Sequence, residues 1–284
     1  YYANRHKRYS LISRMMIAQA LFGAVLSICL GVAGFKADGL LVSALFGTLF
    51  GVIYLLYIYR KKILDLKWRF SIKVWAIALR YSQFPLYNAL PSFLDSLTLS
   101  LPIFFLTKHF PEAIVGYYAL LTRVATAPVA FISQAISQVH IRKVAEQIRD
   151  KQDPTRYLFH LTLLLVGIMA LPTLAFMCTG PAVFAWFFGA QWRMAGELLG
   201  ILMPAVALRF VVSTVSGVFS STGNNHLSAL WKIIAFLLTF LMFWVLADKL
   251  MVKNLFIAMM INDLALYSFY YYLVWYAVNH PREF

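Results

Sequence analysis

Four charged residues stand deep within apolar stretches of this sequence: Asp95, Arg123, Arg209 and Asp263. An arginine or aspartate at the middle of a bilayer costs ~2.5–3.5 kcal/mol on insertion scales, so such residues face a protein interior or a wet cavity. Arg14 lies near the start of the first apolar stretch. It either belongs to the same surface or extends its guanidinium to the membrane interface. These five residues are the candidate functional residues.

Two interpretations of the buried charges remain open. In the first, Asp95 pairs with Arg123 and Arg209 pairs with Asp263, and the pairs only neutralise one another. In the second, Arg123 and Arg209 hold an anionic group such as a diphosphate, because a guanidinium forks two hydrogen bonds onto phosphate and stays charged. A carboxylate beside them would then release the anion, or would carry a coupling proton or sodium ion.

The composition requires a membrane environment for most of the chain. Of 284 residues, 62% are apolar and only 13% are charged, against roughly 45–50% and about 25% in soluble domains. The mean hydropathy is +0.74. These values predict an all-α, polytopic transmembrane bundle, and at ~20 residues per span the chain has room for about eight helices. The hydrophobic stretches predict spans at residues 11–34, 40–59, 84–107, 112–139, 157–179, 196–220, 229–246 and 254–278.

The formal net charge of +14 follows from membrane topology. On this span assignment, seventeen of the basic residues lie on the side of Tyr1, and five lie on the other: Lys36, Lys108, Arg193, Lys249 and Lys253. Positive residues are retained in the cytoplasm, so both termini are predicted to be cytoplasmic. Nucleic acid is not needed to explain the charge, and we expect none as a partner.

The longest polar connection divides the chain unevenly. Residues 1–59 hold two spans, residues 60–83 form a basic cytoplasmic linker, and residues 84–284 hold six spans. Within the linker, Ile72, Trp75 and Leu79 recur at helical spacing. This pattern is typical of a short amphipathic helix on the membrane interface, although a plain basic loop near anionic headgroups fits equally well.

The prolines of the third span favour a cavity beside it. Pro85, Pro91 and Pro102 all fall in or next to this span. Each removes a backbone donor, and the carbonyls that are freed must be satisfied by neighbouring helices or by water. Interrupted helices of this kind line the substrate path of many transporters.

Motifs of enzyme or cofactor chemistry are missing from the sequence. Cys29 and Cys178 both lie within predicted spans without a neighbour at metal or redox spacing, and the histidines are scattered. No glycine-rich phosphate loop follows a strand pattern. We therefore expect no enzyme activity and no cofactor, apart from coupling to a proton or sodium gradient.

Four ordered motifs resemble those of one transporter family. They are FPLYNALP at 84–91, GYYALLTR at 116–123, FGAQWRMAG at 188–196 and LMP at 202–204. Their order and spacing are similar to those of the polysaccharide or O-antigen flippases (Wzx-type), within the multidrug/oligosaccharidyl-lipid/polysaccharide exporter superfamily. The resemblance covers residues 84–215 well, and the remainder matches mainly in hydropathy.

The resemblance implies a twelve-helix, two-lobe transporter of the bacterial inner membrane. Residues 1–59 would be the last two helices of the N-terminal lobe and residues 84–284 the C-terminal lobe, so we expect the chain to be part of a longer protein. The implied substrate is a polyprenyl-diphosphate-linked glycan, such as an O-antigen repeat unit of lipopolysaccharide, held in a cationic cavity. Arg123 matches the arginine that ends the second motif. A monomer that cooperates with a glycan polymerase or glycosyltransferase is also implied.

Two alternatives to a flippase stay open. A multidrug or cation antiporter of the same superfamily would favour a carboxylate-rich cavity, and two arginines near the midplane argue against it. A membrane glycan polymerase or glycosyltransferase would need catalytic groups on a sizeable loop, and the predicted outer connections are short.

Overall fold

The computed structural model describes residues 9–65, 83–150 and 152–281. These residues are almost entirely helical and contain no strand, which confirms the all-α prediction. The helices are α1 Tyr9–Val32, α2 Lys36–Asp65, α3 Gln83–His109, α4 Glu112–Arg149, α5 Thr155–Phe188, α6 Arg193–Val215, α7 Val218–Ser221, α8 Asn225–Leu246 and α9 Val252–Asn279. A 3₁₀ turn, Ala190–Trp192, precedes α6.

The chain forms two compact units, Tyr1–Ala78 and Leu79–Phe284. The first contains the hairpin of α1 and α2, and the second contains the other helices. Helix α2 continues through residues 60–65, which the sequence prediction assigns to the linker. The predicted interfacial helix around Trp75 lies outside the described residues.

Eight of the described helical segments are long and apolar enough to cross a membrane, in agreement with the eight predicted spans. Two of them extend well beyond their predicted ends. Helix α4 continues to Arg149 instead of ending at 139, and α5 continues to Phe188 instead of ending at 179. The start of α5 at Thr155 lies close to the predicted start at 157, and the Asp153 carboxylate accepts a hydrogen bond from the Thr155 backbone N–H there at 2.9 Å.

The extension of α4 has a simple cause. Hydropathy falls after residue 139, but arginine, lysine, glutamate and glutamine are good helix formers. The Arg142 Nε atom also donates to the Glu146 carboxylate at 3.0 Å, one turn further along, and such pairs support a helix. The predicted end of the fourth span at residue 139 is therefore wrong, and the helix continues to Arg149.

Helix α6 is the centre of the second unit. In its most apolar 18-residue stretch 61% of the residues are buried, against 12–22% in the other membrane-length helices of this unit. It packs against α4, α5 and α9, and side chains such as Leu198, Val212 and Val215 are fully enclosed. Arg209 stands on this helix, and its side chain is 32% exposed.

The contact between α5 and α6 depends on glycine. A Cβ atom added to Gly180 would lie 2.6 Å from the Gly196 carbonyl oxygen, and one added to Gly196 would lie 2.1 Å from that of Gly180. Gly200 approaches the Phe176 carbonyl oxygen in the same way, at 3.0 Å. Small residues allow helix backbones to approach closely within a membrane.

We expect Gly196→Ala to lower the melting temperature of the detergent-solubilised protein. The added methyl group meets backbone atoms that cannot move aside, and overpacking of this kind costs about 1–3 kcal/mol. Gly167→Ala, also within α5 but with no heavy atom near the added Cβ, is the matched control and should leave the melting temperature unchanged or slightly raised. Equal melting temperatures for the two variants would contradict the role of this contact.

Candidate functional site

A cavity of about 80 Å³ lies inside the second unit, between α3, α4, α6, α8 and α9. We call it the inner cavity. Pro102 of α3 lies in its wall. It is one of the prolines of the third span from which a cavity beside this span is predicted. Three of the candidate residues line it: Asp95, Arg209 and Asp263. Hydroxyl and amide side chains complete its polar lining: Thr98, Tyr118, Thr122, Thr126, Thr239, Asn262 and Tyr267.

Arg209 and Asp263 form an ion pair in this cavity. The Arg209 Nη2 atom donates to the Asp263 Oδ2 atom at 2.6 Å, and the two side chains are 32% and 24% exposed. The Arg209 guanidinium carbon also lies 5.2 Å from the centre of the Tyr267 ring, a distance at which a cation is attracted to the ring face. The structure thus contains one of the two pairs considered from sequence.

The guanidinium of Arg209 has a hydrogen-bond donor that is not used by Asp263. Its Nε atom is buried and has no hydrogen-bond partner among the described residues. A guanidinium carries five N–H donors and no acceptor, and an unsatisfied buried donor costs about 1–3 kcal/mol. An anion that reaches this cavity therefore finds a fixed positive group with donors that Asp263 does not use.

Asp95 pairs with a lysine and not with the expected arginine. Its Oδ2 atom lies 3.7 Å from the Lys232 Nζ atom. The predicted Asp95–Arg123 pair is wrong because α3 packs mainly against α8 and makes far fewer contacts with α4, its neighbour in sequence. The sequence prediction did not single out Lys232, because this residue is counted among the basic residues on the side of Tyr1, although it lies within the predicted seventh span. Its position inside that span was the available signal.

The other two candidates lie outside the inner cavity. Arg123 is exposed on α4, about 16 Å along the helix from Glu112, and no ion pair to it occurs within the described residues. An unpaired arginine near the middle of a bilayer is costly in lipid, so we expect this side of the lobe to face protein or water. Arg14 is an exposed residue of α1 in the first unit.

Each cation of the cavity region is close to a carboxylate. Arg209 is beside Asp263, and Lys232 is near Asp95. The region therefore has no excess of either charge, and an incoming anion must compete with a carboxylate for the cation. Across the described ranges, no group of three His, Cys, Asp or Glu side chains is arranged to hold a metal ion.

We expect a double-mutant cycle on Arg209 and Asp263 to show strong coupling. Arg209→Gln or Asp263→Asn alone leaves its partner's charge unpaired in a mostly apolar lobe, so each lowers the melting temperature, and the double variant recovers part of the loss. Coupling between contacting residues reaches about 0.5–3 kcal/mol.

The exposed pair Arg142 and Glu146 is the matched control for this cycle. Pairs of that kind on a helix surface are worth only about 0.3–0.5 kcal/mol. Strictly additive effects at Arg209 and Asp263 would contradict a buried ion pair.

A known protein family matches most of the chain. The sequence family described as "Polysaccharide biosynthesis protein" matches residues 1–197, which include the first three motifs. Arg209 and Asp263 lie beyond the matched residues. No curated protein and no solved structure matches the chain. Since the match covers more than half of the chain, the protein belongs to this family, and it is a multi-pass membrane protein with a role in polysaccharide biosynthesis.

Proposed function

We propose that the protein is a flippase. It moves a polyprenyl-diphosphate-linked oligosaccharide from the cytoplasmic to the outer leaflet of the bacterial inner membrane, by alternating access between two lobes, and it is not an enzyme. The observation that carries the proposal is Arg209: an arginine inside a membrane lobe, beside Asp263, with an unpartnered Nε donor. Membership of a polysaccharide biosynthesis family supports this kind of cargo.

The diphosphate group of the cargo is the anion that Arg209 would bind. Two phosphates carry several acceptor oxygens, and a guanidinium forks onto such groups. Binding would bring the diphosphate against Asp263, whose carboxylate repels it. Arg123, which is exposed on α4, would contact the cargo from the surface of the same lobe.

Asp263 offers a route for release of the cargo. When the diphosphate leaves, the carboxylate would recapture Arg209, so that binding and release exchange the partner of one guanidinium. A proton or sodium ion that neutralises Asp263 would free Arg209 for the diphosphate, and by linkage each would increase the other's affinity by the same factor. The protein thus needs no cofactor in this scheme.

The inner cavity must open before it can accept cargo. At about 80 Å³ it is well below the roughly 300–1,000 Å³ of typical small-molecule sites. In this structure the inner cavity is therefore closed to such a ligand, with the Arg209–Asp263 pair inside it. The remainder of the glycan would travel outside this cavity.

The two alternatives receive less support. A cationic drug would bind to the carboxylate of Asp263 or Asp95. It would first have to displace Arg209 or Lys232, which already pair with these carboxylates. A glycosyltransferase or polymerase needs a catalytic loop, whereas successive helices of the second unit are joined by only two to five residues.

We expect Arg209→Gln in the full-length protein to abolish export, measured as the rate at which lipid-linked oligosaccharide becomes accessible at the outer leaflet. The uncharged amide cannot attract the diphosphate. Arg209→Lys should retain only part of the rate, because an ammonium is a point charge without the planar fork.

Arg142→Gln removes an arginine of the same lobe that is 83% exposed and paired only with Glu146, and it should export at the wild-type rate. All variants are compared at equal amounts of folded protein. Wild-type export by Arg209→Gln would refute the proposed role of this residue.

A further inference from the structure

A second cavity adjoins the inner one within the same unit. We call it the outer cavity. It measures about 310 Å³, and Asp95, Trp231 and Tyr267 line both. It lies at the end of the lobe where α6 ends and α8 begins, and the Asp95–Lys232 pair borders it. Its volume falls within the range of small-ligand sites.

Hydroxyl and amide groups dominate the wall of the outer cavity. Its polar lining comes from four helices and one connection: Ser137, Ser213, Ser216, Ser220, Asn225 and Ser228. Ser220 donates to the Asn225 side-chain oxygen at 3.3 Å, and Ser228 shares a hydrogen bond with the Tyr270 hydroxyl at 2.8 Å. Each hydroxyl has one donor and two acceptor lone pairs, so these groups keep hydrogen-bonding capacity for a ligand.

The charge of this cavity does not suit a diphosphate. Its ionisable lining consists of Asp95 and Lys232, which are 3.7 Å apart and cancel, together with two tyrosines. The hydrogen-bonding groups around them are neutral. Among the described residues, the outer cavity, unlike the inner one, is lined by no guanidinium that could fork onto phosphate. A neutral ligand that is rich in hydroxyl groups therefore fits this wall better than an anion does.

An aromatic wall closes one side of the outer cavity. Trp231 stacks on Tyr270 with the ring centres 4.0 Å apart, and Tyr270 stacks on Phe219 at 5.4 Å. The Trp231 indole N–H donates to the Leu266 carbonyl oxygen at 2.9 Å, which fixes the ring. These rings are almost fully buried, with Trp231 4% and Tyr270 6% exposed. They therefore form a rigid apolar backing for the cavity, and its hydroxyl and amide groups supply the contacts for a sugar ring.

We propose that the outer cavity binds the sugar residue next to the diphosphate of the cargo, while Arg209 binds the diphosphate. This inference rests on the proposed function. Tyr267 connects the two places, because its ring lines both cavities and lies 5.2 Å from the Arg209 guanidinium. Contact with this sugar gives the flippase selectivity for glycosylated carriers over the bare lipid.

Cysteine protection in membranes tests the proposal. Ser220→Cys places one thiol in the wall of the outer cavity of the full-length protein, after Cys29 and Cys178 are replaced by serine. Labelling by a maleimide is timed in membranes that contain the lipid-linked glycan. It is also timed in membranes of cells that lack the enzyme adding the first sugar, with and without added polyprenyl diphosphate. Asn225→Cys is the second reporter, and Gln152→Cys, exposed and outside both cavities, is the control.

We expect the glycan-bearing lipid, at ten times its Kd, to slow labelling at 220 and 225 about tenfold, following the occupancy of the site. Bare polyprenyl diphosphate should leave both rates unchanged, and labelling at 152 should not respond to either lipid. Equal protection by bare diphosphate would overturn the sugar site in favour of a phosphate site. An absence of protection at both reporters would overturn it outright.

Glycan export in the same cells separates the two proposals. If export depends on the protein but neither reporter is protected, the sugar site fails and the flippase stands. If export does not depend on the protein, the proposed function fails as well.

Discussion

The cost of placing a charge in a low-dielectric interior governs the second unit of this protein. Four charged side chains of its membrane helices meet in and beside the inner cavity, and each is close to one of opposite sign: Arg209 to Asp263 and Lys232 to Asp95. The first pair joins α6 to α9 and the second joins α3 to α8. Charge neutralisation thus adds specific contacts to the apolar packing of the helices around the inner cavity. The central, most buried helix, α6, carries Arg209 into that cavity.

The same constraint supplies a mechanism for the proposed transport. A neutral set of ion pairs allows the lobe to close around a small cavity, whereas a lone cation would keep it wet and open. In this proposal an anionic cargo would compete with Asp263 for Arg209, so that binding and release would be an exchange of partners on one guanidinium. The hydroxyl-lined outer cavity would extend this site toward the sugar without adding net charge.

Much of the fold could be predicted from sequence because lipid imposes a simple rule on hydropathy. All eight spans were found, but the end of α4 was not, since the helix continues through polar residues that hydropathy excludes. The Arg209–Asp263 pair could be anticipated from charge. The partner of Asp95 could not, because the neighbour of α3 in space is α8 and sequence order suggests α4. The Gly180–Gly196 contact also depends on which helices meet, and a single sequence does not contain that information.

Mass spectrometry of lipid extracts from cells without the full-length gene tests the central claim most directly. A flippase of lipid-linked glycan, when absent, leaves its cargo on the cytoplasmic side. The account predicts that a completed polyprenyl-diphosphate oligosaccharide accumulates, and that it disappears again when the wild-type gene is restored. A glycan truncated by one sugar would indicate a transferase instead, and an unchanged pool of lipid-linked glycan would contradict the proposed function.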